Sequence, residues 1–263
     1  MKHRIRIAFF DVDWTLYDHK NDCWSKASIE AIKSIQKRGI KVFICSARPF
    51  HSLNALGAFG LGFSWDGYIS SAGACAFADN KFIRKTLMEP QRVKEFLALV
   101  QKEGLSAEVI EPVSRKLIFP LTEDIKEHYR RFKEVIPPLA PYEGEEVTGI
   151  NLFAPVDKDP LFASAFPDFV FYRFAPMAND VSGEPHRKGD GIESVLNYYG
   201  LKKEEAIAFG DDYQDLSMFE EVGTFVAMNN GVSELKKVAA YVCKDVWDDG
   251  VYEGLKHFGL LTE

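Results

Sequence analysis

At 263 residues the chain has room for one large or two modest domains, and a 46% apolar share supplies their cores. Acidic side chains outnumber basic ones by 39 to 32, a net charge of -7, and no long Lys/Arg block offsets them, which argues against a nucleic-acid partner held by counterion release. Four widely spaced cysteines, Cys23, Cys45, Cys75 and Cys243, form no C-x-x-C pair, so a reducing cytoplasm is expected rather than a disulfide framework or a zinc knuckle, and no apolar run reaches membrane-spanning length.

The basic opening runs so quickly into Asp11 that no signal peptide is expected there. Residues 5–10 form an apolar strand that ends in Asp11-Val12-Asp13-Trp14-Thr15-Leu16. Two carboxylates one residue apart at a strand end, followed by a hydroxyl, deliver a nucleophile and a second acid to one spot, which suits metal-assisted phosphoryl chemistry. The plainer alternative is an Asx-type turn that merely closes a strand. Residues 25–38 carry apolar positions at helical spacing and stop at Gly39. Residues 40–45 are a near-continuous apolar run, as in a parallel strand buried on both faces, and end in Ser46-Ala47-Arg48-Pro49. A helix over 51–61 and a third strand over 67–70, closed by a glycine turn at Gly73, complete a β-α-β rhythm.

From about residue 80 to 183 the texture changes. Proline joints at Pro137-Pro138, Pro141, Pro155, Pro160 and Pro167 separate short strands from helices such as 90–103, which predicts an inserted α+β domain. Within it, the aromatics of Phe171-Tyr172-Arg173-Phe174 read as core residues that could alternatively reach a substrate. The α/β rhythm then resumes with a helix over 188–199, a strand over 206–209 ending in Gly210-Asp211-Asp212, a helix through Met218 and a strand over 224–227. The six histidines lack metal-ligand spacing and read as surface or capping residues.

Three strand ends thus carry Asp11 and Asp13, Ser46, and Asp211 and Asp212, with Asp215 one turn further on. Ligands of open parallel sheets bind outside the carboxyl ends of the strands, so these groups can converge despite their separation in sequence. Asp211, Asp212 and Asp215 could join Asp11 around Mg²⁺, or could simply decorate a helix N-terminus.

In the order and spacing of four motifs the chain resembles the Cof-type phosphatases of the haloacid dehalogenase superfamily, subclass IIB, with a C2 cap inserted between the second and third motifs. The four are Asp11-Val12-Asp13-Trp14-Thr15-Leu16, Ser46, Lys188 within Arg187-Lys188-Gly189-Asp190-Gly191, and Gly210-Asp211-Asp212-Tyr213-Gln214-Asp215. The similarity extends to Ala227-Met228-Asn229-Asn230 and to Asp248-Asp249-Gly250-Val251. It implies a Rossmann-like parallel-sheet core over residues 1–81 and 184–263 and a C2-type α+β cap over 82–183, hinged near Phe82 and Val181. It further implies a Mg²⁺-dependent phosphomonoesterase acting on a small phosphate ester, a sugar phosphate above all. Asp11 would be the nucleophile, Asp13 the acid and base, and Ser46 and Lys188 would complete the catalytic set. Ser46, Ala47, Arg48 and Lys188 would bind substrate, and Asp11, Asp13 (through its carbonyl), Asp211 and Asp215 the metal. The sequence departs from the family pattern at Trp14 in place of Gly, at Ser46-Ala47-Arg48 in place of Thr-Gly-Arg, at Ala72 in place of Asn, and at Gln214 in place of Asn. A phosphomutase and a non-catalytic phosphometabolite sensor are the competing readings.

Overall fold

The computed structural model describes residues 4–131 and 134–261. In chain order the first elements are β1 (Ile7–Phe10), the short pair β2 (Tyr17–Asp18) and β3 (Cys23–Trp24), α1 (Lys26–Lys37), β4 (Lys41–Cys45), α2 (Phe50–Ala55), β5 (Gly67–Ser70), β6 (Cys75–Ala78) and β7 (Lys81–Lys85). Then come α3 (Pro90–Lys102), β8 (Ser106–Ile110), β9 (Arg115–Ile118), α4 (Glu123–Arg131), β10 (Gly149–Phe153), α5 (Asp159–Ala165), β11 (Val170–Ala175) and β12 (Ala178–Ser182). The chain closes with α6 (Lys188–Tyr199), β13 (Ala206–Gly210), α7 (Leu216–Phe219), β14 (Thr224–Ala227), α8 (Ser233–Val238), β15 (Tyr241–Val242) and α9 (Gly250–His257).

Two compact units result, one made of Met1–Arg48, Phe59–Arg84 and Arg187–Glu263, the other of Pro49–Ala58 and Lys85–His186. The first carries an eight-stranded sheet in the order β15-β14-β13-β1-β4-β5-β6-β7. The run from β15 to β5 is parallel, and β6 turns back antiparallel on β5. Alternation decides the layers. Ile7 and Phe9 of β1 pack with Ile192, Val195 and Leu196 of α6 on one face. Ala8 and Phe10 pack with Ile29, Ile32 and Ile35 of α1 and with Val251 and Leu255 of α9 on the other. With both faces covered, a core strand has no polar side to show, and Ile7–Phe10 is buried throughout. β1 lies between β13 and β4, so the carboxyl ends of three successive strands stand side by side where the strand order reverses.

The second unit is built on an antiparallel sheet in the order β11-β12-β10-β8-β9. One face packs Ala107, Val109, Ile150, Leu152 and Val181 against Phe96 of α3 and Phe162 of α5. The other carries Leu117, Phe153 and Ala178 against Ile125 and Tyr129 of α4. On that second face Glu108 is fully buried, accepting the Tyr129 hydroxyl and, at 3.2 Å, Arg115 Nη1. Arg115 Nη1 also donates to Glu134 at 2.6 Å, and the Ser52 hydroxyl of α2 to the same carboxylate at 2.7 Å. This polar chain ties α2 to its unit.

Local sequence explains where elements stop. The helix expected over 51–61 ends at Ala55, because Gly57 adopts φ +83° and breaks the ladder. Pro160, expected as a joint, instead opens α5, where its missing N–H costs nothing. Val181, expected at a hinge, sits inside β12 paired with Ile150 and Phe171, and the chain crosses between units at 48/49, 58/59, 84/85 and 186/187, the last two bounding the inserted segment. Phe171 packs into its unit's core, but Tyr172 and Phe174 of the same edge strand are exposed, so only alternate aromatics of that run are core. No described helix is long and apolar enough to cross a membrane.

After β5 the backbone makes a tight turn through Ser71, Ala72 and Gly73 at φ +49°, +50° and +99°. A Cβ on Gly73 would lie 2.0 Å from the Arg187 carbonyl oxygen, so only glycine lets this turn approach the start of α6. Ala72→Gly should therefore raise the melting temperature by relieving a left-handed alanine, worth about 0.5–1 kcal/mol net, while Gly73→Ala should destabilise by about 2–4 kcal/mol. Equal thermal shifts for the two variants would contradict this.

His51, expected as a surface or capping residue, has both ring nitrogens buried without a hydrogen-bond partner among the described residues. Glu108 Oε1 is 3.9 Å from Nε2, beyond hydrogen-bond length. Burial, with the Arg115 guanidinium behind it and only Glu134 opposing, pushes this imidazole down to about 3. Below about pH 6.5 the unfolded chain takes up a proton here that the folded protein refuses, so stability falls as pH drops from 6.5 toward 3, by at most about 1.4 kcal/mol per unit. His51→Phe should flatten the decline of melting temperature between pH 7 and 4; parallel curves for variant and wild type would refute that assignment.

Candidate active site

The backbone beyond β1 continues straight for one residue, the Asp11 amide donating to Phe209 O at 3.0 Å, and then folds tightly. The Val12 carbonyl accepts the amides of Thr15, Leu16 and Tyr17 at 3.3, 2.9 and 2.8 Å. This turn separates the two acids: Asp11 is buried, whereas the Asp13 side chain keeps 31% of its exposure. Trp14, at the position where the family pattern has glycine, takes φ +60° with its ring exposed. Its carbonyl accepts from Asn230 Nδ2 at 2.8 Å, and Asn230 Oδ1 in turn accepts the Val246 amide at 2.8 Å, so a distant loop braces the strained residue.

Lys188, the first residue of α6, is almost wholly buried, and its Nζ lies 2.6 Å from both Asp11 Oδ1 and Asp215 Oδ1. The second Asp215 oxygen accepts the Asp211 and Asp212 amides at 2.8 and 3.0 Å, fixing the turn after β13. Gly210 is required there, since a Cβ would come within 2.6 Å of the Asp215 carboxyl. Asp211 Oδ1 accepts the buried Thr15 hydroxyl at 3.0 Å. Asp11, Asp211, Asp215 and Lys188 thus form one cluster drawn from two strand ends and a helix start.

A second group forms around Asp13. Arg48 donates Nε to Asp13 Oδ2 and Nη2 to Oδ1, both at 2.8 Å, and His19 Nε2 approaches Oδ1 to 2.5 Å. Ser46, buried at the end of β4, accepts the Arg48 amide on its hydroxyl at 3.1 Å, while Ala47 is exposed and enters neither group. Gln214 is exposed at the tip of the turn that Asp215 caps. Sequence reading gives His19 no role beyond that of a surface or capping residue and includes Asn230 in the family similarity without a role; only the aromatic company of His19 in Trp14 and Tyr17 hints at its place.

The charges of the cluster do not balance. Burial works against the Lys188 ammonium, yet Asp11 and Asp215 outweigh it and hold it protonated well above the ordinary lysine range. Burial raises the Asp11 carboxyl despite Lys188, and the neighbouring carboxylates raise it further. Asp211 is pushed up to about 7 by burial and then by Asp215. Asp13 is the opposite case, because hydrogen bonds from His19 and Arg48 overcome its burial and hold it far below the usual carboxylate range. Three buried carboxylates facing one ammonium lack positive charge. Asp11, Asp211 and Asp215 each present an oxygen within 4.8 Å of the others, an all-oxygen donor set that fits a hard divalent cation. Since Lys188 and two amides occupy both Asp215 oxygens, Asp11 and Asp211 are better placed than Asp215 to offer an oxygen directly to a cation.

The chain is similar to known proteins over almost its whole length. A family model for haloacid dehalogenase-like hydrolases matches residues 8–255. A Bacillus subtilis protein named YkrA, designated a candidate phosphatase, is 30% identical over 274 residues, covering 97% of this chain and 98% of its own. A crystal structure of a hypothetical protein of Geobacillus kaustophilus superposes with TM-score 0.90 at 27% identity, over 98% of this chain and all of the other. A sugar phosphatase of subclass IIB superposes with TM-score 0.77 at 28% identity, over 97% of this chain and all of the other. With a largely parallel sheet, three motifs at its strand ends and a fourth at the start of α6, and a match over nearly its whole length, the chain belongs to the haloacid dehalogenase-like hydrolases, among their Cof-type phosphatases.

Proposed function

We propose that the protein is a Mg²⁺-dependent phosphatase that hydrolyses small phosphorylated metabolites, sugar phosphates foremost, through a phosphoryl group carried on Asp11. The observation that carries this reading is the buried contact of Asp11 with Lys188 inside a cluster of carboxylates. A free aspartate repels a phosphate dianion, whereas one beside a fixed ammonium can approach it. An Asp11 oxygen forms the bond to phosphorus as the ester oxygen leaves with a proton from Asp13, which takes up that proton from solvent once the substrate phosphate draws the Arg48 guanidinium off its carboxylate. Asp13 then takes a proton from water, whose oxygen attacks the acyl phosphate, releasing inorganic phosphate and restoring the Asp11 carboxylate. Ser46 and Lys188 hold phosphoryl oxygens, and Arg48 adds a guanidinium beside them. Asp11, the Asp13 carbonyl and Asp211, with Asp215 behind them, would hold Mg²⁺, which would supply the charge neutralisation that the cluster lacks.

Selection among substrates falls to the second unit, residues 82–183 in the main, because every catalytic motif lies outside it. The sugar-phosphate assignment rests on the likeness to the subclass IIB sugar phosphatase. A reducing cytoplasm suits the four cysteines, all of which are free thiols.

Hydrolysis of p-nitrophenyl phosphate should require Mg²⁺, stop on chelation with EDTA and resume when the metal is restored. Asp11→Asn should lower the rate by on the order of a thousandfold or more, with a native circular dichroism spectrum. Full turnover after exhaustive chelation, or an Asp11→Asn rate within tenfold of wild type, would overturn the assignment.

A further inference from the structure

The assigned roles leave Asp13 with a difficulty. Its carboxylate is gripped by the Arg48 fork through Nε and Nη2, and that edge of the guanidinium cannot hold a phosphate bidentately while it holds Asp13. When a phosphate ester competes for Arg48, Asp13 must be held by something else if its oxygens are to stay aimed at the leaving group. Only one other side chain is recorded against it among the described residues. His19, six residues on in the loop after β2, lies 2.5 Å from Asp13 Oδ1, where its Nε2–H donates to the carboxylate.

The imidazole is itself fixed from two sides. The Trp14 ring lies 5.1 Å from it, tilted by 50°, and the Tyr17 ring 4.9 Å away, edge-on. Tyr17 is anchored in turn by its hydroxyl on Asp22 at 2.9 Å and by Trp24 edge-on at 5.3 Å. Trp14 keeps its place although its backbone is left-handed at φ +60°, a conformation that costs a non-glycine residue about 1–2 kcal/mol. Glycine would avoid that cost but would have no ring to lay against His19.

We propose, resting on the phosphatase reading above, that His19 is a positioning residue for the reaction: clamped by Trp14 and Tyr17, it keeps the Asp13 carboxylate oriented toward the leaving group while Arg48 turns from Asp13 to the substrate phosphate. The strained Trp14 then has a purpose, as one jaw of the clamp. His19 makes and breaks no bond to the substrate; it acts through Asp13, and the effect of losing it must follow the demand for leaving-group protonation.

The test compares p-nitrophenyl phosphate, whose leaving group departs with little help, with an alkyl phosphate such as glucose 6-phosphate, whose leaving group needs a proton. His19→Ala should lower kcat on the alkyl ester by on the order of tenfold or more beyond any loss on the aryl ester, with KM nearly unchanged. His19→Gln, whose amide can donate to the same oxygen, should recover most of that loss. Equal losses on both esters, or none, would overturn the proposal, and so would Gln behaving like Ala. A crystallographic arm is independent of turnover. In Arg48→Ala the Asp13 carboxylate should keep its orientation on His19, and in Arg48→Ala/His19→Ala it should rotate away; an unmoved Asp13 in the double variant contradicts the positioning role. If the wild-type protein hydrolyses no phosphate ester, the phosphatase reading fails, and these two structures still decide whether His19 positions Asp13.

Discussion

One buried ammonium organises this molecule. Lys188 Nζ contacts Asp11 and Asp215 at 2.6 Å each, with almost no access to water. Burying an unpaired lysine or carboxylate costs several kcal/mol, so none of these three residues is tolerable in its place without the others. Because they come from β1, from the start of α6 and from the turn after β13, the contact ties together three segments separated by up to 204 residues of chain, from Asp11 to Asp215. The flanking structure follows from that demand. Gly73 lets the turn after β5 reach the backbone that precedes Lys188, and Gly210 makes room for the Asp215 carboxyl. The Asp211 and Asp212 amides satisfy the Asp215 oxygen that Lys188 leaves open.

The same accounting explains why the site is charged and open to a cation rather than neutral and closed. One buried ammonium cannot balance three buried carboxylates, and the surplus shows in the raised Asp11 and Asp211 carboxyls. A few residues away, Asp13 meets the reverse situation, with more donors than it needs and a carboxyl held far down. Two acids one residue apart thus occupy environments of opposite character, and Asp13 gains a proton to donate only when a substrate phosphate draws Arg48 away from it. The tight turn on the Val12 carbonyl is what parts the two acids.

Much of the fold is legible in the sequence because strands covered on both faces must be largely apolar, so β1, β4 and β13 announce themselves and end just before a polar residue, Asp11, Ser46 and Asp211. The helix from Lys188 to Tyr199 and the strand from Thr224 to Ala227 are equally plain from periodicity. Other features depend on contacts that no spacing encodes. His19 lies only six residues from Asp13, but in a loop whose path is set by Tyr17 and Trp24 pairing across a two-residue ribbon. Asn230 reaches Trp14 from the opposite end of the chain. His51 resembles a surface histidine until α2 is placed in the second unit, beside Arg115 and Glu134, by the Ser52 contact that no local pattern foretells. The end of α2 is misjudged for a simpler reason, since the apolar pattern runs on past Gly57 although the backbone does not.

The central claim is that Asp11, held by Lys188, is the atom-transferring group and not merely a metal ligand or a turn residue. It is tested most directly by mixing Asp13→Asn enzyme with p-nitrophenyl phosphate and Mg²⁺, quenching in acid and sequencing the peptides by mass spectrometry. The account predicts one phosphoryl group attached to Asp11, because the first transfer to an activated leaving group can proceed while the water step lacks its base. Release of p-nitrophenol with no phosphorylated Asp11 at any quench time, or a phosphoryl group found on another residue, would contradict it.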